Sequence, residues 1–376
     1  MTTVCEANGS FAIHLLKTLC QNNPSKNVCY SPVSISSALA MVLLGAKGDT
    51  AAQITQILGL NTEKDIHQGF QWLLNNLNKP DRKYILRMAN RIFAEVACEL
   101  PPAFKESCLQ FYHSETEQLS FVKAPEESRE HINMWVSKQT EGKIPELLSG
   151  DSINSNTRMV LVNALYFKGR WQQSFTKTLT KEMPFKINQK EKQPVQMMRQ
   201  KDTFHLAYVN EVQAQVLLMP YEGMELSMVV LLPDDGVDLS KVENSLTFEK
   251  LTAWTRPYFM KSTDVEVFLP KFKLQEDYDM GSVLQRLTMM NVFQEDKADL
   301  SGMSPEKDLC LSQFIHKSVV EVNEEGTEAA AASATISVDC ADIRHVSTFC
   351  ADHPFLFFIR HKETNSLLFC GRFSSP

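Results

Sequence analysis

The chain has 376 residues, of which 43% are hydrophobic and 22% charged, and its formal net charge is −7. This length can bury one large core or two ordinary domain cores. The acidic balance and the scattered basic residues argue against a nucleic-acid partner. The lack of any run of 18 uncharged apolar residues argues against a membrane partner.

The N-terminal segment has the pattern of an amphipathic helix. Phe11, Leu15 and Leu19 recur every four residues, and His14 and Lys17 interrupt the apolar residues. A cleaved signal peptide would need a basic start and an unbroken apolar middle. We therefore expect a cytoplasmic protein, with the nucleus as an additional location.

The nine cysteines form no C-x-x-C pair, and their number is odd. Both features argue against a disulfide framework and against a structural metal site. We expect reduced thiols at Cys5, Cys20, Cys29, Cys98, Cys108, Cys310, Cys340, Cys350 and Cys370.

Helical patterns dominate the first 145 residues. Ser31 and Pro32 precede an apolar segment that ends at Gly45, which fits a helix start and a helix stop. Asp65 to Leu77 and Glu127 to Gln139 are also predicted to be amphipathic helices.

Strand patterns dominate from Thr157 onward. These segments are rich in Val, Phe, Leu and Tyr and are bounded by turn residues. The predicted strands are Met159 to Phe167, Leu226 to Leu232, Val265 to Leu274, Cys310 to Val322, Phe355 to Arg360 and Ser366 to Phe373, the last two forming a hairpin. The polar segment from Asp339 to Thr348 is predicted to be an exposed loop. No Pro/Gly/Ser-rich linker divides the chain, so we predict a single α+β domain over residues 1–376.

The common catalytic motifs are missing from the sequence. There is no G-x-S-x-G, no H-E-x-x-H, no phosphate-binding loop and no G-x-G-x-x-G, and no two histidines are four residues apart. We therefore predict a protein that is not an enzyme and that uses no cofactor and no metal.

The segment Glu324 to Ser333, read as E-E-G-T-E-A-A-A-A-S, admits two interpretations. Its alanines favour a short helix by propensity. As a strand, it would place only small, uncharged side chains on one face: Thr327, Ala329, Ala331 and Ser333. A strand inserted between two others above a packed core needs such a face. Gly326 would supply the backbone freedom for the segment to swing.

Six motifs in order make the chain resemble the serpin family over its full length, and within it the intracellular, ovalbumin-like clade B and its cytosolic inhibitors of granzyme B. The motifs are Ser31-Pro32-Val33-Ser34-Ile35; Asn163 to Gly169 with Trp171; Leu269-Pro270-Lys271-Phe272; Glu324 to Ser333; Ala351 to Phe357; and Phe369 to Phe373. The resemblance implies a metastable serpin fold with three β-sheets, about eight or nine helices, and an exposed reactive-centre loop at about residues 324–348.

The resemblance also implies an activity. A target serine protease attacks a loop carbonyl and forms a covalent acyl complex, and the cleaved loop inserts into the central sheet as a new strand. The hinge of that movement would comprise Glu324, Gly326, Thr327, Glu328, Ala329, Ala330, Ala331, Ala332 and Ser333. The expected partner is a granzyme-like protease bound by a monomer.

The reactive bond follows from the same resemblance. In inhibitory serpins the residue fourteen positions past the hinge glycine enters the specificity pocket, which here gives Cys340 and the bond Cys340–Ala341. Asp339 is the alternative, since Ile336-Ser337-Val338-Asp339 resembles what aspartate-specific proteases accept. Arg344 is a third candidate, for a trypsin-like enzyme.

The remaining site residues match serpin positions that control the conformation. These are Ser31, Ser34, Asn163 and His316 beneath the sheet, Lys271 paired with Glu324 at its top, and Trp171 nearby. Each could instead be an ordinary satisfied polar group. Two other functions stay open: a non-inhibitory serpin that acts as a binding or chaperone module, and an inhibitor of cysteine proteases.

Overall fold

The computed structural model of the chain describes residues 2–60, 65–305, 309–327 and 346–376. These residues form an α+β fold of two large sheets with helices packed around them. The α-helices are α1 (Thr2–Asn22), α2 (Pro32–Leu43), α3 (Gly48–Ile57), α4 (Ile66–Leu77), α5 (Pro102–Tyr112), α6 (Pro125–Gln139), α7 (Leu239–Ser245), α8 (Phe248–Trp254) and α9 (Met280–Arg286). None of the helices in the described ranges is long and apolar enough to span a bilayer.

The strands run throughout the chain. They are β1 (Val28–Tyr30), β2 (Tyr84–Glu95), β3 (Thr116–Leu119), β4 (Met159–Arg170), β5 (Lys181–Lys186), β6 (Lys192–Val209), β7 (Ala214–Pro220), β8 (Leu226–Pro233), β9 (Lys261–Pro270), β10 (Phe272–Asp279), β11 (Gln313–Asn323), β12 (Gly326–Thr327), β13 (Ser347–Cys350), β14 (Phe355–His361) and β15 (Ser366–Phe373).

The six-stranded sheet has the order β10-β11-β12-β4-β2-β3. Its central strands β4 and β11 are parallel and pair directly from Gln313–Val160 to Val319–Tyr166. Beyond the Val319–Tyr166 pair the two strands separate, and the short strand β12 lies between them.

The nine-stranded sheet has the order β1-β15-β14-β8-β7-β6-β9-β13, with β5 added on β6. We expected three sheets, but the described strands form two continuous ones. The reason is the length of β6, whose first half pairs with β5 and whose second half pairs with β7.

The core lies between the two sheets and under the N-terminal helices. Leu165, Phe167 and Val320 of the six-stranded sheet pack in one cluster with Val230 and Phe357 of the nine-stranded sheet. Helix α2 lies wholly in the interior, with every residue buried. Its start is set locally, because the Ser31 hydroxyl accepts a hydrogen bond from the backbone of Ser34 and Pro32 occupies the first turn.

Most predicted elements are present, and several expectations were wrong in detail. The predicted strand Val265–Leu274 is two strands in different sheets, because the chain turns at Lys271. The predicted strand from Cys310 begins at Gln313. Strands β2 and β3 interrupt the region predicted to be helical. Ser347 and Thr348 belong to strand β13, not to a loop; 339–345 lie outside the described residues.

Candidate functional site

The hinge begins between two strands of the six-stranded sheet. Thr327 pairs with Val322 on β11 and with Gly169 on β4, both antiparallel. Gly326 pairs with Asn323 and Arg170 in the same way. Two residues of the hinge segment therefore already occupy the position of a central strand.

Gly326 can be only glycine in this conformation. Its φ is +146°, which side-chain-bearing residues rarely adopt, and a Cβ there would overlap the carbonyl oxygen of Gly169. Thr327 is fully buried, and its hydroxyl lies 3.0 Å from the Tyr221 hydroxyl. Thr327 thus meets a packed interior, and a larger side chain at this position would not fit without displacement.

Trp171 holds the turn that precedes the hinge. Its indole nitrogen donates to the carbonyl of Asn323 at 3.0 Å, and its backbone nitrogen donates to the carbonyl of Glu325 at 2.9 Å. The ring stacks on Tyr221 with centroids 4.6 Å apart. Because Tyr221 also contacts Thr327, Trp171 and the hinge share one aromatic support.

Lys271 and Glu324 form an ion pair at the top of the sheet, with Nζ and Oε2 3.1 Å apart. The Thr180 hydroxyl also donates to Glu324, at 2.9 Å. Burial alone would raise the pKa of Glu324, but hydrogen bonds from the backbone, Thr180 and Lys271 lower it below its ordinary value. Glu324 is therefore ionised at neutral pH and anchors the end of β11.

A buried hydrogen-bond network lies further from the hinge, in the part of the sheet where β4 and β11 pair directly. His316 and Asn163 are register partners across the two strands, and both are fully buried. His316 Nε2 accepts from the backbone N–H of Ser31 at 3.1 Å, so the ring proton is on Nδ1, which donates to Asn163 Oδ1. Asn163 Nδ2 donates to the Ser34 hydroxyl at 2.7 Å. The network thus joins the first turn of α2 to both strands.

Burial lowers the pKa of His316 to about 3, so the imidazole is neutral over the physiological range. Tyr278 stacks on the ring, nearly parallel, with centroids 6.5 Å apart. Because the His316 imidazole is neutral, it adds no charge at the point where β4 and β11 pair and where a new strand would enter.

Sequence reasoning missed three contributors to these contacts. Asn90 on β2 contacts both Asn163 and Ser34, and Tyr221 and Thr180 support the hinge. A strand pattern over Tyr84–Glu95 would have pointed to Asn90, since it is a polar residue on the same side of the strand as the core residues Met88 and Ile92.

The predicted site residues fall into two groups. Ser31, Ser34, Asn163 and His316 share one network, and Trp171, Lys271, Glu324, Gly326 and Thr327 share the hinge region. The predicted hinge residues Glu328, Ala329, Ala330, Ala331, Ala332 and Ser333, and the reactive-bond candidates Asp339, Cys340, Ala341 and Arg344, lie outside the described residues. The described part of the chain contains no cluster of His, Cys, Asp and Glu that could hold a metal ion.

A fold with two parallel strands that separate around a buried glycine hinge can accept a longer strand in that gap. Comparisons with known proteins identify the family. The family model described as "Serpin (serine protease inhibitor)" matches residues 6–376. The chain belongs to the serpin family of serine protease inhibitors.

The relatives place the chain among ovalbumin-like serpins. It is 66% identical to human Serpin B9 and 48% identical to the human protein named leukocyte elastase inhibitor, with both chains covered completely in each case. The structure of uncleaved ovalbumin superposes with a TM-score of 0.91 at 36% identity and complete coverage of both chains. The predicted family, clade and α+β serpin fold are therefore confirmed.

Proposed function

We propose that the chain inhibits a serine protease as a suicide substrate, by inserting its cleaved loop between β4 and β11. The observation that carries this proposal is the position of β12. Gly326 and Thr327 already lie between the separated ends of the two strands, and the strands pair directly only below them.

The register of β12 supports insertion of the whole hinge. Each residue added after Thr327 moves one position down β11 and β4. Six residues further, Ser333 would lie opposite His316 and Asn163, which are now paired with each other. Ser333 falls on the same face as Thr327, so its small hydroxyl would face the buried polar network. The inserting face thus matches the sheet interior at both ends of the hinge.

The covalent step uses the protease's own chemistry. The protease serine hydroxyl attacks the carbonyl carbon of Cys340, the bond to Ala341 breaks, and Ala341 leaves as a free amine. Insertion of about 15 residues at about 3.3 Å each would carry the acylated serine roughly 50 Å. Displacing the oxyanion hole costs several kcal/mol of transition-state stabilisation, so the ester persists.

We propose a granule or intracellular serine protease as the target, a granzyme above all, and a monomeric inhibitor in the cytoplasm and nucleus. The name of the leukocyte elastase inhibitor supports a protease of this kind. Cys340 has a small side chain, which suits an elastase- or chymotrypsin-like pocket. The single-domain organisation over 1–376 also stays a prediction.

The decisive experiment is incubation with a panel of aspartate-specific, elastase-like, chymotrypsin-like and trypsin-like proteases. We expect a complex that survives boiling in detergent, and mass spectrometry of the released C-terminal fragment should locate its new N-terminus at Ala341. Asp339→Asn should leave the complex unchanged, and Cys340→Arg should abolish it with the same protease.

Two results would contradict the proposal. Cleavage without a stable complex, and with no rise in the thermal unfolding midpoint, would favour the non-inhibitory binding module. Cleavage after Asp339, or a complex only with cysteine proteases, would overturn the assignment of the bond or of the protease class.

A further inference from the structure

Strand β13 carries the C-terminal side of the reactive-centre loop, and apart from the buried side chain of Phe349 it is held by a short ladder. It lies at the edge of the nine-stranded sheet and pairs in parallel with β9 over four residues, from Ser347–Val265 to Cys350–Phe268. Short parallel edge strands gain little from their ladder. What fastens the end of β13 therefore matters for the loop that precedes it.

His353, three residues beyond β13, makes two hydrogen bonds with acceptors only. Its Nε2 lies 2.6 Å from the carbonyl oxygen of Pro233 at the end of β8, and its Nδ1 lies 2.8 Å from Asp352 Oδ1. A carbonyl oxygen cannot donate, and neither can an ionised carboxylate, so both ring nitrogens must carry protons. Either neutral tautomer would point a nitrogen lone pair at an oxygen. The geometry therefore requires the imidazolium.

The charges of the groups around His353 sum to zero only when His353 itself is protonated. Asp352 also pairs with Lys186 of β5 at 3.3 Å, and Lys186 pairs with Asp235 of the turn after β8 at 2.7 Å. Asp235, Lys186, Asp352 and His353 thus alternate in sign, with two anions and two cations. The thiol of Cys350 contributes no charge, since burial raises its pKa to about 11.

The titration behaviour of the pair agrees with this arrangement. Burial would lower the pKa of His353, but the hydrogen bonds to Asp352 and Pro233 and the charges of Asp352 and Asp235 raise it above its ordinary value. Burial would raise the pKa of Asp352, but His353 and Lys186 lower it. Each group stabilises the ionised form of the other.

We propose that His353 is a pH-dependent anchor of β13: its imidazolium fastens the connection between β13 and β14 to the end of β8 and, through Asp352, to β5. Lys186 reinforces the same connection, because its backbone N–H donates to the Asp352 carbonyl at 2.7 Å. When His353 loses its proton, one of its two hydrogen bonds is lost and a net negative charge remains. The stem of the loop is then held less firmly.

The sign of the effect follows from the raised pKa. The unfolded histidine titrates near about 6.5, so the anchor contributes fully below that pH. Its contribution is lost as the pH rises through the higher pKa of the folded state. We expect β13 to be held more firmly in mildly acidic than in mildly alkaline solution. A contact without a titrating group would hold β13 equally at both pH values.

The first test compares the full chain with His353→Gln between pH 5.5 and 8.5, and uses His205→Gln, an exposed histidine of β6, as the matched control. Glutamine can donate to Pro233 through its amide nitrogen, but it has no donor at the position of Nδ1 and no charge. We expect its thermal midpoint to lie below that of the unsubstituted protein by on the order of 2 °C at pH 5.5, with the gap closing towards pH 8.5. The control should show no such pH-dependent gap. A gap of equal size at all pH values would overturn the proposal.

The second test needs no substitution. Hydrogen exchange of residues 347–350, corrected for the intrinsic effect of pH, should become faster from pH 6 to pH 8, while that of β14 should not change. Asp352→Asn should move this transition to lower pH, because it removes the anion that favours the imidazolium. Exchange of β13 that is independent of pH in the unsubstituted protein would also overturn the proposal.

Discussion

The two ends of the reactive-centre loop are held by opposite physical means. At the N-terminal end, Gly326 and Thr327 lie buried between two strands, above a neutral His316. At the C-terminal end, β13 lies at a sheet edge, and a charged His353 holds the connection that follows it. The inner face of a segment that must enter a sheet interior can carry neither bulk nor charge, since both are costly there. An edge that must stay in place can be held by ion pairs near solvent. In the proposed mechanism, the N-terminal end of the loop would advance into the sheet while the C-terminal end stays in place.

The largest effect is expected from charging the buried end. Thr327→Arg would force a guanidinium into the space beside Tyr221, where an unpaired buried charge costs several kcal/mol. Insertion of the cleaved loop should then be slower than hydrolysis of the acyl bond, so that the protease is released instead of trapped. We expect the yield of detergent-stable complex to fall at least about tenfold, because about 1.4 kcal/mol already changes a rate tenfold. Cleavage of the loop should continue.

Thr327→Ser is the matched control for this change, since it keeps the hydroxyl near Tyr221 and removes only a methyl group. Its complex yield should stay close to that of the unsubstituted protein. If Thr327→Arg gave the same yield as Thr327→Ser, the buried end would not be the inserting end.

The second prediction concerns the neutral network below the hinge. His316→Phe keeps a ring but leaves the Ser31 N–H and the Asn163 oxygen without their partner. Each orphaned buried group costs about 1–3 kcal/mol, so the free energy of unfolding should fall by about 2–6 kcal/mol at pH 7.5. Denaturant unfolding measures this change, with His205→Phe on the exposed face of β6 as the control.

The same variant also tests whether His316 and His353 contribute to stability with opposite dependence on pH. The pKa of His316 is lowered to about 3 in the folded state, against about 6.5 when unfolded. Its contribution to stability is therefore lost as the pH falls from about 6.5 towards 3, the opposite direction to His353. The difference in unfolding free energy between the unsubstituted protein and His316→Phe should shrink over that window. A difference that grows on acidification would mean that His316 is charged in the fold.

Local sequence patterns predicted those features of the fold that depend on neighbouring residues in the chain. The start of α2 follows from Ser31 and Pro32, and the hairpin of β14 and β15 follows from two apolar runs around a turn. The small side chains at the hinge would share one face of a strand, which is the observation that favours an inserting strand over the helix expected from propensity. The predicted inner position of Thr327 agrees with its burial.

The contacts that define the two ends could not be predicted from the sequence in this way. Ser31 and His316 are 285 positions apart, and His353 and Pro233 are 120 apart. Such pairs depend on strand order and register across both sheets. The break at Lys271 was missed although Pro270 precedes it, because apolar residues occur on both sides while the chain passes from one sheet to the other.

The smallest effect is expected from the Lys271–Glu324 ion pair at the N-terminal end. Lys271 and Glu324 are 3.1 Å apart, but the Lys271 side chain is 45% exposed, and Thr180 also donates to Glu324. Solvent screens such pairs, so Lys271→Ala should lower the unfolding free energy by less than about 1 kcal/mol. Lys273→Ala, two residues along β10 and exposed, is the matched control. The yield of protease complex should be unchanged in both variants. A loss above about 2 kcal/mol in Lys271→Ala alone would mean that charge, and not small neutral packing, holds the advancing end, and the contrast between the two ends of the loop would fail.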